Sequence, residues 1–315
     1  MGATMTTPKG RDFLSLHDWS RPELDQILTL AEELKLRRRS GLSDQPLAGK
    51  TVGLYFAKPS TRTRVSFEVG VQQLGGSALF LSAADLQLRR GETVADSARV
   101  LSRYLDGIVI RTFSHREVEE WAAYADVPVI NGLTDQEHPC QVMADLLTIR
   151  EKKGRLDGLR LAYVGDGNNM AHSLMDGCAK FGMHITVACP PGYEPSSEVV
   201  ERAAAAEAES GGSVRVTTDP REAAEGADIV YTDVWASMGQ EDEAEHRKAV
   251  FGPYQVNRAL MNLAKPDAIF MHCLPAHRGE EVTAEILDGP QSVIFDEAEN
   301  RLHAHKAIMA LLIGN

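Results

Sequence analysis

TVGLYFAKPSTRTRVSFEVGVQQL, residues 51–74, contains the first predicted strand of the chain and the helix that follows it. Its apolar and β-branched residues over Thr51–Ala57 predict a strand. The residues that follow predict a helix over Arg62–Leu74. A strand joined directly to a helix is the repeating unit of a parallel sheet with helices on both faces.

The same alternation continues on both sides of this unit. Upstream, Ser20–Arg39 is predicted to be an amphipathic helix whose start carries a capping box of Ser20 and Glu23. Downstream, the predicted strands are Ala78–Ser82, Gly107–Thr112 and Val127–Asn131. The predicted helices that alternate with them are Thr93–Leu105, Glu117–Tyr124 and Pro139–Lys153.

A second alternating series begins after glycines at Gly154 and Gly158 break the chain. Its predicted strands are Arg160–Val164, His184–Ala188, Val214–Thr217, Asp228–Thr232, Ala268–His272 and Ser292–Phe295. We therefore predict an α/β protein of two doubly wound parallel-sheet domains, residues 1–150 and 151–298. The last helix, residues 299–315, is expected to pack back on the first domain. Ligands bind at the carboxyl ends of such strands, so we expect the active site in the cleft between the domains.

The composition excludes several classes of protein. A formal charge of −12 disfavours a nucleic-acid binder, and no run of eighteen apolar residues predicts a membrane span. The four cysteines form neither a CxxC pair nor a zinc spacing, and the N-terminus lacks the apolar core of a signal peptide. We expect buried or reduced thiols in a cytoplasmic protein that binds no metal.

The strongest local motif is Ser60-Thr61-Arg62-Thr63-Arg64, which lies between the first strand and its helix. A helix N-terminus offers free N–H groups and the positive end of the helix dipole. Hydroxyl groups and an arginine at the same place predict a phosphate site. The alternative is an ordinary helix cap with solvated arginines.

Two more motifs lie at predicted strand ends. His138-Pro139-Cys140-Gln141 opens a helix, where a histidine or glutamine can donate to a carbonyl oxygen or an oxyanion. Arg111 follows an apolar strand, so it either lines a site or reaches solvent. A capping turn remains the alternative for His138.

In the second domain, Gly165-Asp166-Gly167-Asn168-Asn169 lies between a strand and a helix. The turn resembles a dinucleotide-binding turn, but Met170 occupies the position of the third glycine. The next strand also ends without the acid that would bind a ribose. The asparagines suit a small polar ligand better than a dinucleotide.

Asp233 also ends a predicted strand, and Ser237-Met238-Gly239 follows in the same loop. A carboxylate there can bind the ammonium of an amino acid, or it can simply form an Asx turn. Further on, Cys273 in His272-Cys273-Leu274-Pro275 is a candidate reactive thiol. His272 and His277 lack a third metal ligand at a useful spacing. Arg301 either points into the site or makes a surface pair.

Taken together and in this order, the motifs resemble the transcarbamoylase family and, within it, the branch that uses ornithine. The resemblance covers nearly the whole chain. It implies transfer of the carbamoyl group of carbamoyl phosphate to the side-chain amine of L-ornithine, giving citrulline and phosphate in arginine metabolism. It also implies a homotrimer, alone or stacked into larger assemblies, without a cofactor.

The resemblance further implies roles for individual residues. Arg111, His138, Asp233 and Cys273 would act in catalysis, and Gln87 would reach the phosphate site of a neighbouring subunit. The implied ornithine contacts are Asn169, Asp233, Ser237 and Met238. The implied carbamoyl phosphate contacts are Ser60, Thr61, Arg62, Thr63, Gln87, Arg111, His138, Pro139, Cys140, Gln141, Cys273, Leu274 and Arg301.

Three other functions remain as alternatives at this stage. One is carbamoyl transfer to another acceptor, such as aspartate, putrescine or an acylated ornithine, against which the Ser237-Met238-Gly239 loop argues. A second is a nicotinamide-dependent oxidoreductase, against which the missing third glycine and ribose acid argue. A third is a non-catalytic relative, which the intact set of polar residues disfavours.

Overall fold

The computed structural model describes residues 9–86, 91–236 and 241–315. Gln87, Ser237 and Met238, three of the predicted site residues, lie outside these ranges. The chain divides into two units, one of Met1–Leu147 with Asn300–Asn315 and one of Thr148–Glu299. Each is an α/β unit with an entirely parallel sheet, which confirms the predicted fold class.

The first unit begins with helix α1 and then alternates strands and helices. Its elements are α1 (Arg21–Arg39), β1 (Thr51–Phe56), α2 (Thr61–Gln73), β2 (Ser77–Ser82), α3 (Val94–Leu101), β3 (Gly107–Arg111), α4 (His115–Tyr124), β4 (Val129–Leu133) and α5 (Pro139–Lys153), whose last turns belong to the second unit. The predicted capping box of Ser20 and Glu23 is confirmed at the start of α1. The core packs Ile108, Ile110 and Val129 of the sheet against Trp121 of α4.

The strands of the first sheet run in the order β2-β1-β3-β4. The chain therefore adds β2 on one side of β1 and β3 on the other, which makes the β1–β3 boundary a topological switch point. Phe56 and Arg111, the last residues of these two strands, lie side by side in register. Ligands of doubly wound sheets bind at the carboxyl ends of strands at this kind of boundary.

The second unit repeats the pattern with shorter helices. Its elements are β5 (Arg160–Val164), α6 (Asn169–Lys180), β6 (His184–Ala188), α7 (Ser197–Ser210), β7 (Ser213–Thr217), α8 (Pro220–Ala224), β8 (Ile229–Thr232), α9 (Ala244–Phe251), α10 (Arg258–Met261), β9 (Ile269–His272), α11 (Ala284–Leu287) and α12 (Ile294–Leu312). The strand order is β7-β6-β5-β8-β9, so the switch point lies between β5 and β8. In the described residues of both units, no helix is long and apolar enough to cross a membrane.

The predicted strand Ser292–Phe295 is wrong. Ser292 forms a single bridge with Phe270, and α12 already begins at Ile294. The apolar run of Val293, Ile294 and Phe295 suits a strand and a buried first helical turn equally, because so short a run has no distinguishing period. From Asn300 onward, the residues of α12 belong to the first unit.

Candidate active site

In the first unit, the predicted phosphate motif forms the turn from β1 into α2. Ser60 is the N-cap of α2, and its hydroxyl accepts a hydrogen bond from the Thr63 amide at 3.3 Å. The cap holds the first turn of the helix in place, so the remaining N–H groups of that turn stay available to an anion. The Nε atom of Arg62 is buried and has no hydrogen-bond partner among the described residues.

Two arginines from distant parts of the sequence meet at the Thr63 hydroxyl. Arg301 Nη2 donates to Thr63 Oγ1 at 2.6 Å, and Arg111 Nη1 lies 3.5 Å from the same oxygen. All three side chains are buried. Two guanidinium groups beside a helix N-terminus bring several positive charges to one buried place. The arrangement therefore indicates a binding site for a phosphate group.

His138 lies in the same electrostatic field, just before α5. Burial lowers the pKa of its imidazole well below the ordinary value, and the positive charges of Arg301 and Arg111 lower this pKa further. The ring is therefore neutral at neutral pH and can donate one N–H to a carbonyl oxygen. Nearby, Gln141 is fully buried and donates from Nε2 to Asp145 at 2.8 Å.

The side chain of Cys140 is bonded to the backbone of the first unit. Its thiol donates to the Asn131 carbonyl at 3.3 Å, and burial raises the pKa of this thiol to about 12. A nucleophilic role for this cysteine does not fit such an environment. Because the Cys140 thiol is bonded to the Asn131 carbonyl, a contact of Cys140 with a ligand would use its backbone atoms. Pro139 is the first residue of α5.

In the second unit, three strand ends bring Asp233, Cys273 and Asn168 together. Cys273 Sγ donates to Asp233 Oδ1 at 3.1 Å, and Asn168 Nδ2 donates to Asp233 Oδ2 at 3.0 Å. These residues follow β8, β9 and β5, so they lie at the switch point of the second sheet and beside it. Asn168 was not predicted as a site residue, while the predicted Asn169 is the first residue of α6.

Hydrogen bonds to His272 and Glu281 hold the loop after β9 in place. His272 Nδ1 accepts from the Leu274 amide at 2.9 Å, and Glu281 Oε1 accepts from the His277 amide and faces His272 Nε2 at 3.2 Å. Leu274 has a positive φ of 59° and a cis bond to Pro275. Because both ring nitrogens of His272 are engaged, its closeness to Asp233 and Cys273 does not by itself indicate a metal site. The absence of a metal stays a prediction.

Asp166, in the turn after β5, is a second buried acid near Asp233. Its carboxylate pairs with Arg247 Nη1 at 2.8 Å, and the same nitrogen donates to the Trp235 carbonyl at 2.9 Å. The pKa of Asp166 is raised to about 6, mainly by burial. The positive charge of Arg247 lowers this pKa, and the negative charge of Asp233 raises it. Gly167 allows the close approach of this turn to the next loop, since a Cβ atom there would lie 2.3 Å from the Pro195 nitrogen.

Two parallel α/β units, one with an anion site and one with an acid–thiol–amide cluster, define an enzyme that binds a phosphate compound and an amine. Two family models match the chain one after the other. The carbamoyl-P binding domain of aspartate/ornithine carbamoyltransferase matches residues 11–151, and the Asp/Orn binding domain matches residues 157–312.

Individual relatives are similar along the whole chain. An ornithine carbamoyltransferase of Symbiobacterium thermophilum is 69% identical over 98% of this chain and 100% of its own length. The solved ornithine carbamoyltransferase from Pyrococcus furiosus is 56% identical with a TM-score of 0.96, covering 98% of this chain and 99% of that one. The corresponding structure from Gloeobacter violaceus is 54% identical with a TM-score of 0.88, covering 97% and 99%. The chain belongs to the aspartate/ornithine carbamoyltransferase family.

Proposed function

We propose that the chain transfers the carbamoyl group of carbamoyl phosphate to the side-chain amine of L-ornithine, forming L-citrulline and phosphate in arginine metabolism. The observation that carries this proposal is the meeting of Arg111 and Arg301 at Thr63, beside the N-terminus of α2. Relatives of up to 69% identity bear the name of this activity.

In this proposal, the first unit binds carbamoyl phosphate. The N–H groups and hydroxyls of Ser60, Thr61 and Thr63 hold the phosphate with Arg62. Arg301 and Arg111 supply further charge, and Arg111 also reaches the carbonyl oxygen. Fixed donors of this kind stabilise charge as it develops, because they need no reorganisation during the reaction.

The carbonyl oxygen gains negative charge when the amine attacks. Neutral His138 donates an N–H toward it, together with Arg111 and Thr63. Gln141 holds the carbamoyl amide, with Pro139 and Cys140 beside it at the start of α5. The bond between the carbonyl carbon and the phosphate oxygen then breaks, and phosphate leaves with both electrons of that bond.

The second unit binds ornithine through Asp233, Asn169, Ser237 and Met238. Asp233 suits an ammonium because its carboxylate is buried, and a buried cation needs a countercharge. The attacking amine must be neutral, although a lysine-like amine is mostly protonated at neutral pH. Asp233 and Cys273 are both candidates to take that proton.

We also propose a homo-oligomer, a trimer or stacked trimers, in the cytoplasm. A groove of about 490 Å³ begins at Ser60 and Thr61 and continues along apolar side chains that include Phe56, Val65 and Phe80. Val65, which lines this groove, is about half exposed. A second copy of the chain would cover these groups, and its Gln87 would then serve the phosphate site.

Isotope transfer tests the proposed reaction. With carbamoyl phosphate labelled by ¹³C at its carbonyl carbon, the label should move into the ureido carbon of citrulline, with one phosphate released per citrulline. Phosphate release without labelled citrulline would mean hydrolysis instead of transfer, and would overturn the proposal.

A further inference from the structure

Asn168 makes more hydrogen bonds than a helix cap needs. It is the N-cap of α6, and its Oδ1 accepts from the amides of Met170 at 2.9 Å and Ala171 at 3.4 Å. The Tyr163 hydroxyl donates to the same oxygen at 3.1 Å. On the other side, Asn168 Nδ2 donates to Asp233 Oδ2 at 3.0 Å. The residue therefore joins the start of α6 to the acid that ends β8.

These contacts fix the orientation of the Asn168 amide. The two backbone amides that converge on Oδ1, those of Met170 and Ala171, can only donate, so an NH₂ group at that position would face both N–H groups. The flipped amide would also place its oxygen against the Asp233 carboxylate. Only the orientation in which the NH₂ group faces Asp233 satisfies both sides.

The consequence is a fixed carboxylate at Asp233. Its Oδ1 accepts from the amide of Val234 at 2.8 Å and from Cys273, while its Oδ2 accepts from Asn168. Donors on both oxygens prevent rotation of the carboxylate. Hydrogen bonds to a charged acceptor are also stronger than those between neutral groups.

Asp233 and its acidic neighbour Asp166 have different kinds of partner. Asp166 has a cation, Arg247, at 2.8 Å. Asp233 instead accepts from the Val234 amide, the Cys273 thiol and the Asn168 side-chain amide, which are neutral donors and leave its negative charge available to an incoming ammonium. A neutral donor at position 168 supports the charge of Asp233 without neutralising it.

We propose that Asn168 is a positioning residue that sets the affinity for the amino-acid substrate by holding Asp233 in place. The inference rests on the proposed function, in which Asp233 binds the ammonium of ornithine. Asn168 acts through Asp233 and through the start of α6. The two roles can be separated by substitution, because serine and aspartate are both good N-caps.

Two substitutions keep the cap and remove the donor. The side chain of Asn168→Ser is too short to reach Asp233, and Asn168→Asp places a second carboxylate against it. Asn257, the N-cap of α10 in the same unit, provides matched controls as Asn257→Ser and Asn257→Asp, because its side chain accepts from the Leu260 amide at 3.1 Å. The melting temperatures of the two serine variants should change by similar, small amounts, whereas Asn168→Asp should lower the melting temperature further because its carboxylate faces buried Asp233.

The measurement is equilibrium binding of norvaline to the full-length enzyme loaded with carbamoyl phosphate. Norvaline keeps the α-ammonium and carboxylate of ornithine but lacks the attacking amine, so chemistry does not interfere. We expect its dissociation constant to rise about tenfold or more in Asn168→Ser and Asn168→Asp, and less than about twofold in the Asn257 controls. The Michaelis constant for carbamoyl phosphate should stay within about twofold in all four.

A double-mutant cycle with Asp233→Asn tests the route of action. If Asn168 acts through Asp233, adding Asn168→Ser to Asp233→Asn should weaken norvaline binding by less than about threefold. Unchanged norvaline binding in both folded Asn168 variants, or fully additive losses in the cycle, would overturn the inference. An Asp233→Asn variant that binds norvaline normally would instead overturn the assignment of Asp233 in the proposed function.

Discussion

Arg301 offers the sharpest single perturbation of the anion site. Its guanidinium is buried, donates to Thr63 at 2.6 Å and contributes to the lowered pKa of His138. Arg301→Gln keeps a polar group on α12 and removes the charge. Because a hydrogen bond to a charged group contributes roughly 1.5–3 kcal/mol, the Michaelis constant for carbamoyl phosphate should rise about ten- to a hundredfold.

The same substitution should also change the titration of His138. With the Arg301 charge removed, the pKa of His138 should rise, because a nearby cation disfavours the protonated ring. It should stay below its ordinary value, since burial is the larger cause of the shift. The ring resonances in an NMR pH titration, assigned with His138→Gln, would measure this change.

Arg37→Ala is the matched control for Arg301→Gln. Arg37 is a half-exposed arginine of the same unit and is paired with Asp44 at 2.7 Å. Exposed pairs contribute roughly 0–1 kcal/mol, so its kinetics should stay close to wild type. An Arg301→Gln enzyme with an unchanged Michaelis constant for carbamoyl phosphate would refute the assignment of the anion site.

Three further predictions test other parts of the account. Arg62→Gly should raise the Michaelis constant for carbamoyl phosphate and lower turnover, about ten- to a hundredfold together; normal steady-state kinetics would contradict this. Mixing Gln87→Ala with Arg62→Gly subunits should restore some activity if Gln87 serves a neighbour, and hybrids shown to form yet remain inactive would argue against sharing. Asp166→Asn should alter the pH dependence of the free energy of unfolding. The pKa of Asp166, about 6, lies above the ordinary carboxyl value. In the wild type, the folded state therefore takes up a proton at Asp166 as the pH falls from 7 toward 5, and the free energy of unfolding rises. Equal slopes of unfolding free energy against pH in the two proteins would contradict this.

The sequence predicts the sheets well because the strands alternate regularly with helices. Arg160–Val164 and His184–Ala188 have the predicted bounds, and both are apolar runs flanked by polar or turn-forming residues. Helix ends are less accurate. α3 ends at Leu101, four residues before the predicted end, because the helical pattern of apolar residues continues through the turn that follows.

The site is predictable where a motif is local and less so where distant segments meet. The helix cap at Ser60 follows from a single turn of sequence. The contact between Arg301 and Thr63 joins residues 238 positions apart, and Arg301 alone could equally have been a surface arginine. Asn168 and Asn169 are adjacent and chemically identical, so only the structure shows that Asn168 caps the helix and contacts Asp233.

Product formation with a panel of acceptors is the most direct test of carbamoyl transfer to ornithine. Carbamoyl phosphate would be offered with ornithine, aspartate, putrescine or an acetylated ornithine, while absorbance at the nicotinamide band is followed in a parallel reaction. We predict rapid citrulline formation with ornithine, little product with the other acceptors and no change in nicotinamide absorbance. A preference for another acceptor, or no carbamoyl transfer by the folded enzyme, would contradict it.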